Sequence, residues 1–135
     1  MKAGAFRLVA GATGLLFLGS GLALFVAFFA YQRPGSEPAL PMGPLGHYFA
    51  AFAGCALLGW GGAVLAGARD LATGRLLAPV TATALVAMAV YRMLGWFMGD
   101  YYAWAGETLR YEAALFLALA LAFVWLRPAP ERRYA

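Results

Sequence analysis

Residues 91–112 read YRMLGWFMGDYYAWAGETLRYE and separate the last two apolar runs of the chain. Arg92 lies near the end of one run, a short aromatic segment containing Asp100 follows, and Glu112 begins the last run. Ionisable residues are rare inside membrane helices, where they usually face other protein groups and find partners. If the flanking runs cross a membrane, this segment predicts where a polar contact forms between helices.

Four long apolar runs account for most of the chain. Of its 135 residues 64% are hydrophobic and 12% are charged, against about 45–50% and about 25% in soluble domains. The runs cover residues 8–31, 48–67, 76–98 and 111–126. A transmembrane helix needs about 20 apolar residues; the first three runs suffice, and the fourth needs Tyr111 and Trp125 as interfacial anchors. We predict an all-α fold, in which residues 1–135 form a single domain, an integral membrane four-helix bundle.

The basic residues predict the orientation of the helices. With a cytoplasmic N-terminus, the inner side holds seven of the ten Lys and Arg residues and the outer side holds three: Arg33, Arg92 and Arg110. Positive loops stay in the cytoplasm, so we expect both termini inside. The net charge of +4 then lies near anionic lipid and does not indicate a nucleic-acid partner. High Ala, Gly, Arg and Leu content suggests a bacterial source, hence a multi-pass protein of the bacterial inner membrane.

Small residues recur every fourth position in three of the runs, which favours close helix contacts in membranes. The longest stripe, in the second run, comprises His47, Ala51, Cys55, Gly59, Ala63 and Gly67. Shorter stripes in the first and fourth runs comprise Gly19, Ala23, Ala27, Ala114, Ala118 and Ala122. These stripes are expected to be the packed faces. The proline-rich outer loop, residues 32–46, is expected to be an extended cap, and Pro79 to lie in the first turn of the third helix.

The candidate binding residues all fall on the predicted outer side. They are Arg92, Glu112, His47, Asp100, Trp96 and Tyr91. We expect Arg92 to pair with Glu112, because an unpaired charge at that depth is costly. His47 is either solvated at the membrane interface or ordered by a partner. No metal site is predicted, since zinc requires three or four ligands and the chain has one histidine and one cysteine. No cofactor is predicted, although the outer aromatics would suit contact with a quinone or a pigment.

The Arg92-Met93-Leu94-Gly95 segment late in the third run, with Glu112 at the start of the fourth, resembles a family of small bacterial four-helix membrane proteins that is loosely DoxX-like. The resemblance implies a four-helix bundle with Arg92 and Glu112 as its signature polar residues. It implies no activity.

Three functions remain open on the sequence. The first is a non-catalytic accessory or scaffolding subunit, partnered by other membrane proteins or by copies of itself in the lipid. The second is a module that binds or transports an anion, a quinone or a lipid at the outward-facing polar cluster. The third is a membrane enzyme using Glu112 and Arg92, which is disfavoured because no catalytic motif is present.

Overall fold

A computed structural model describes residues 2–31, 35, 43–98 and 106–129, and throughout these ranges the only regular structure is helix. The helices are α1 (Lys2–Tyr31), α2 (Pro44–Arg69), α3 (Leu71–Phe97) and α4 (Thr108–Trp125). Each is long and apolar enough to cross a membrane, with mean hydropathy between 2.1 for α1 and 1.5 for α4. The all-α prediction with four apolar helices is therefore confirmed for the described part of the chain.

The turn between α2 and α3 is shorter than expected. Residues 68–75 separate the second apolar run from the third, but α3 already begins at Leu71, because the Asp70 carboxylate caps it. That carboxylate accepts hydrogen bonds from the backbone N–H groups of Ala72 at 3.2 Å and Thr73 at 3.0 Å. Such a cap satisfies N–H groups that the first turn of a helix leaves unpaired. The proline placement was consequently wrong, since Pro79 lies inside α3 and not in its first turn.

The chain divides into two compact units, of which one comprises residues 11–65. Within it α1 and α2 run antiparallel, joined by two pairs of glycines. A Cβ on Gly21 would lie 2.6 Å from the carbonyl oxygen of Gly54, and one on Gly54 would lie 2.7 Å from that of Gly21. One heptad away, a Cβ on Gly61 would lie 2.8 Å from the carbonyl oxygen of Gly14. The backbones touch at both levels, and no side chain fits between them.

The seven-residue spacing of these glycines corrects the predicted four-residue stripes. Residues seven apart on a straight α-helix differ in direction around the axis by about 20°, whereas residues four apart differ by about 40°. A row of residues at seven-residue spacing therefore stays on one face of the helix over a greater length. Gly19 and Gly59, which were expected at the contact, are exposed, and a Cβ on either would meet no described atom within 4 Å. Gly54, Gly61 and His47 share one heptad position on α2, and all three are buried.

The other unit comprises residues 1–10 and 66–135. Its described core is formed by α3 and α4 with the beginning of α1, and the rings of Phe6 and Phe123 meet edge to face at 5.9 Å between centroids. The buried positions of α4 are Leu109, Ala113, Ala120 and Phe123, whereas Ala114 and Ala118 of the predicted stripe are exposed. In α4, as in α2, the face that packs lies next to the small-residue stripe that the sequence predicted.

Candidate functional site

The predicted pair between Arg92 and Glu112 is present. Arg92 Nε lies 2.7 Å from Glu112 Oε2, linking α3 to α4. Arg92 lies five residues before the end of α3 and Glu112 four residues after the start of α4, so the antiparallel helices bring the two side chains together at the same end of the pair. Their side chains remain 33% and 38% exposed. The two charges compensate each other, and part of each stays accessible.

Two of the predicted aromatic residues lie on the same stretch of α3 as Arg92. The Arg92 guanidinium carbon lies 5.9 Å from the centre of the Tyr91 ring, within the range of a cation–π contact. Tyr91 is 55% exposed. Trp96, about one turn further along, packs its half-buried ring against Phe97 with centroids 5.1 Å apart. Of the predicted site residues on α3, Tyr91 and Arg92 are in contact and Trp96 lies one turn away, whereas Asp100 falls outside the described residues.

A second ion pair marks the beginning of α4. Glu107 Oε2 lies 2.8 Å from a terminal nitrogen of Arg110, and the same guanidinium donates to the hydroxyl of Tyr111 at 3.2 Å. Glu107 and Arg110 are three residues apart and both well exposed, so the pair closes the first helical turn locally. Exposed pairs of this kind contribute little stability, and this one adds nothing to the Arg92–Glu112 contact.

His47 belongs to the unit of residues 11–65 and lies in the first turn of α2. It is 2% exposed, and its Nδ1 is 3.1 Å from the carbonyl oxygen of Gly43. With the proton on Nδ1 the ring donates to that carbonyl, one of the groups flanking the helix start. Of the two alternatives left by the sequence, a solvated or an ordered histidine, the structure shows the ordered one.

A second polar contact, which the sequence analysis did not predict, joins the segment after α4 to α3. Arg127 Nε donates a hydrogen bond to the carbonyl oxygen of Arg75 at 3.2 Å. Proline has no N–H group, so Pro79 cannot complete the helical bond to the carbonyl four residues before it, which is that of Arg75. The signal in the sequence was a proline within the third run, which frees the carbonyl four residues before it, together with an arginine that follows the fourth run.

The two polar contacts lie at opposite ends of α3. Arg75 and Arg92 are 17 residues apart, which corresponds to about 26 Å of helix, and no charged residue stands between them. The hydrocarbon core of a bilayer is about 30 Å thick. The distance between the contacts therefore matches a helix whose polar groups lie near the two membrane surfaces.

Metal ligands do not cluster in the described part of the chain, where no group of three or more His, Cys, Asp or Glu side chains could hold an ion. Cys55 is a free, exposed thiol on α2. The chemistry that the described residues offer is that of ion pairs and hydrogen-bond donors.

No protein-family model, no curated protein and no solved structure matches the chain. The DoxX-like resemblance of the Arg92–Gly95 segment and Glu112 therefore stays a prediction.

Proposed function

We propose that this chain is a non-catalytic integral membrane subunit, with both termini cytoplasmic in a bacterial inner membrane, that assembles with another membrane protein or with copies of itself. A four-helix bundle of the DoxX-like kind is the proposed arrangement in the lipid. Its support is the length and apolarity of all four helices and the uncharged span between the two polar contacts of α3.

The observation that carries the assembly role is an exposed small-residue face on α2. It comprises Cys55, Gly59, Gly62 and Ala66, all exposed. A Cβ on Gly59 or Gly62 would meet no described atom within 4 Å, so the face is flat and open. Within the chain, α2 instead packs through Gly54 and Gly61. In lipid, helices associate by close packing of small residues, since no hydrophobic force drives them together, and this second face is suited to another helix.

The ion pair of α3 and α4 fits a structural role in such a subunit. Each charge at Arg92 and Glu112 has the other as its counter-charge at 2.7 Å. General acid–base chemistry needs a proton donor or acceptor positioned towards a substrate, whereas the Glu112 carboxylate and the Arg92 guanidinium are positioned towards each other. We therefore propose no catalytic role for Glu112.

The test is the mass, protein composition and visible absorption spectrum of the particle extracted in mild detergent or nanodiscs. Assembly predicts a fixed stoichiometry above one chain. Gly59→Leu should shift the particle towards the single chain, because leucine fills the flat face, and Ala118→Leu on an exposed position of α4 is the matched control. A particle that contains a single chain of the wild type and no other protein would refute the proposal.

Oxidative cross-linking then separates the two kinds of assembly. In a parallel homo-oligomer formed through this face, the Cys55 thiols of two copies approach each other and a disulfide-linked dimer forms. With a different partner protein, the particle mass is raised but no Cys55-linked homodimer appears.

A second candidate is a module that binds or transports an anion, a quinone or a lipid from the outer side. The observation favouring it is the partial exposure of Arg92 and Glu112 beside the exposed ring of Tyr91. An unimpaired ligand response in an Arg92→Ala, Glu112→Gln double variant would remove this reading. Loss of the response in a variant that still folds would remove the purely structural one.

A further inference from the structure

A basic cavity lies at the end of α3 opposite the Arg92–Glu112 pair. Its volume is about 700 Å³, and its lining includes three cationic side chains, Lys2, Arg75 and Arg127. They come from the first residue of α1, the second turn of α3 and the segment that follows α4. Small-molecule sites measure about 300–1,000 Å³, so the cavity is large enough to hold a ligand and not merely a counter-ion.

These three cations lack acidic partners in the described part of the chain. Both described ion pairs involve other arginines, Arg92 and Arg110, and no Asp or Glu lines the cavity. The nearest acid in sequence is Asp70, whose carboxylate is engaged by the first turn of α3. The cavity therefore carries an excess of positive charge.

The hydrogen bond from Arg127 to the carbonyl of Arg75 prearranges this cluster. It uses one of the five N–H groups of the guanidinium and fixes the segment after α4 against α3. The remaining N–H groups stay available. An arginine fork held in this way suits the paired oxygens of a phosphate group.

An apolar groove of about 490 Å³ follows the cavity along the same pair of helices. Its lining includes Pro79 and Val86 from α3 with Leu121 and Val124 from α4. Pro79 is one turn beyond Arg75, and Val124 is one turn before Arg127, so the groove begins next to the cations and runs about 6–16 Å deeper along α3. Val86, Leu121 and Val124 are 43%, 70% and 63% exposed, which leaves the groove open to the side.

We propose that the cavity and the groove together bind one anionic phospholipid, with its phosphate group on Lys2, Arg75 and Arg127 and an acyl chain along α3 and α4. Basic pockets at the cytoplasmic ends of membrane helices recognise lipid headgroups in this way. The site rests on the membrane location proposed above and does not depend on assembly with a partner. A lipid accounts for both halves of the site, whereas free phosphate accounts only for the cations.

The experiment is native mass spectrometry of the detergent-extracted chain titrated with phosphatidylglycerol or phosphatidylcholine of identical acyl chains. We expect one phosphatidylglycerol to be retained per chain and phosphatidylcholine to bind more weakly. A Lys or Arg near an anionic surface contributes about 1 kcal/mol, so each of Lys2→Gln, Arg75→Gln and Arg127→Gln should weaken binding roughly fivefold. Arg69→Gln is the matched control, because Arg69 is exposed at the end of α2 and does not line the cavity.

Two further experiments distinguish a bound phospholipid from a free phosphate ion. Val86→Trp fills the groove and keeps every charge; it should abolish retention of the lipid if an acyl chain occupies the groove. Millimolar inorganic phosphate should fail to displace the lipid.

Displacement by phosphate, or indifference to Val86→Trp, would show a free-anion site and overturn the proposal. An equal loss with Arg69→Gln would show diffuse charge attraction and also overturn it. Helicity by circular dichroism verifies folding, and Lys2→Gln, at the exposed first turn of α1, decides the question if the arginine variants do not fold. The particle mass in the same spectra reports on assembly separately.

Discussion

Arg127 donates a hydrogen bond to the one carbonyl that Pro79 leaves without its helical partner, that of Arg75. A proline in the middle of a helix removes one backbone hydrogen bond and costs about 3 kcal/mol relative to alanine. The Arg127 side chain, which follows α4, donates to the freed carbonyl. The hydrogen bond that Pro79 removes from α3 is therefore replaced by one that holds the segment after α4 against α3.

This relationship predicts coupling between the two residues. Arg127→Ala should lower the free energy of unfolding in the wild type by about 1 kcal/mol, the net value of a typical hydrogen bond. In a Pro79→Ala background the backbone N–H restored by the substitution can bond to the Arg75 carbonyl, and the same change at Arg127 should cost much less. A double-mutant cycle measured by denaturation in detergent gives the coupling energy; additive effects would contradict the assignment.

The glycine contact between α1 and α2 predicts opposite effects for neighbouring substitutions. Gly21→Ala and Gly54→Ala place a methyl group 2.6–2.7 Å from a backbone oxygen, and such overpacking costs about 1–3 kcal/mol. Gly11→Ala and Gly19→Ala meet open space and should be neutral or stabilising by about 0.5–1 kcal/mol through helix propensity. Unfolding of the four variants, followed by circular dichroism, checks this. Equal losses in both pairs would show that the contact lies elsewhere.

The Arg92–Glu112 pair predicts that single replacements are worse than a double one. Arg92→Ala leaves the Glu112 carboxylate without its counter-charge and should lower the free energy of unfolding. The loss should exceed the about 0–1 kcal/mol of an exposed pair and stay below the about 3–5 kcal/mol of a buried one. An Arg92→Met, Glu112→Leu double variant removes both charges and should recover part of that loss. Protein yield and unfolding free energy are the measurements. If neither single change has an effect, the pair is not structural.

The Asp70 cap predicts an acid-sensitive start of α3. The hydrogen bond from the Thr73 hydroxyl, followed by those from the backbone N–H groups of Thr73 and Ala72, lowers the pKa of the Asp70 carboxyl. Because the folded pKa is below the unfolded value of about 3.9, the cap contributes its full stability above that value and loses it as pH falls through the folded pKa. The protection factors of the Ala72 and Thr73 amides, which compare the observed with the intrinsic exchange rate at each pH, should therefore be constant around neutral pH and fall below about pH 4.

A matched variant isolates that carboxylate. In Asp70→Ala, the protection factors of the two amides should be low at neutral pH already, and their acid-dependent fall should disappear. An unchanged acid profile in this variant would assign the fall to another group.

The helices and the Arg92–Glu112 ion pair were accessible from the sequence because they follow from local properties. An apolar run long enough to cross a membrane forms a helix wherever it packs, since lipid offers its backbone no other hydrogen-bond partners. Arg92 and Glu112 were predicted to meet because each is an ionisable residue at the same predicted depth. The start of α3 was misplaced because the single cap at Asp70 outweighed the polar composition of the residues after it.

What the sequence by itself determined is the helical class, the approximate spans and the ion pair of Arg92 with Glu112. Only the tertiary structure decided which small-residue face packs, because α2 offers several and the choice depends on the angle at which α1 crosses it. Gly54 and Gly61, seven residues apart, both face α1 and meet Gly21 and Gly14, whereas residues four apart soon point away from α1. The basic cavity was likewise hidden in the sequence, since Lys2, Arg75 and Arg127 lie far apart in the chain and are brought together only by packing.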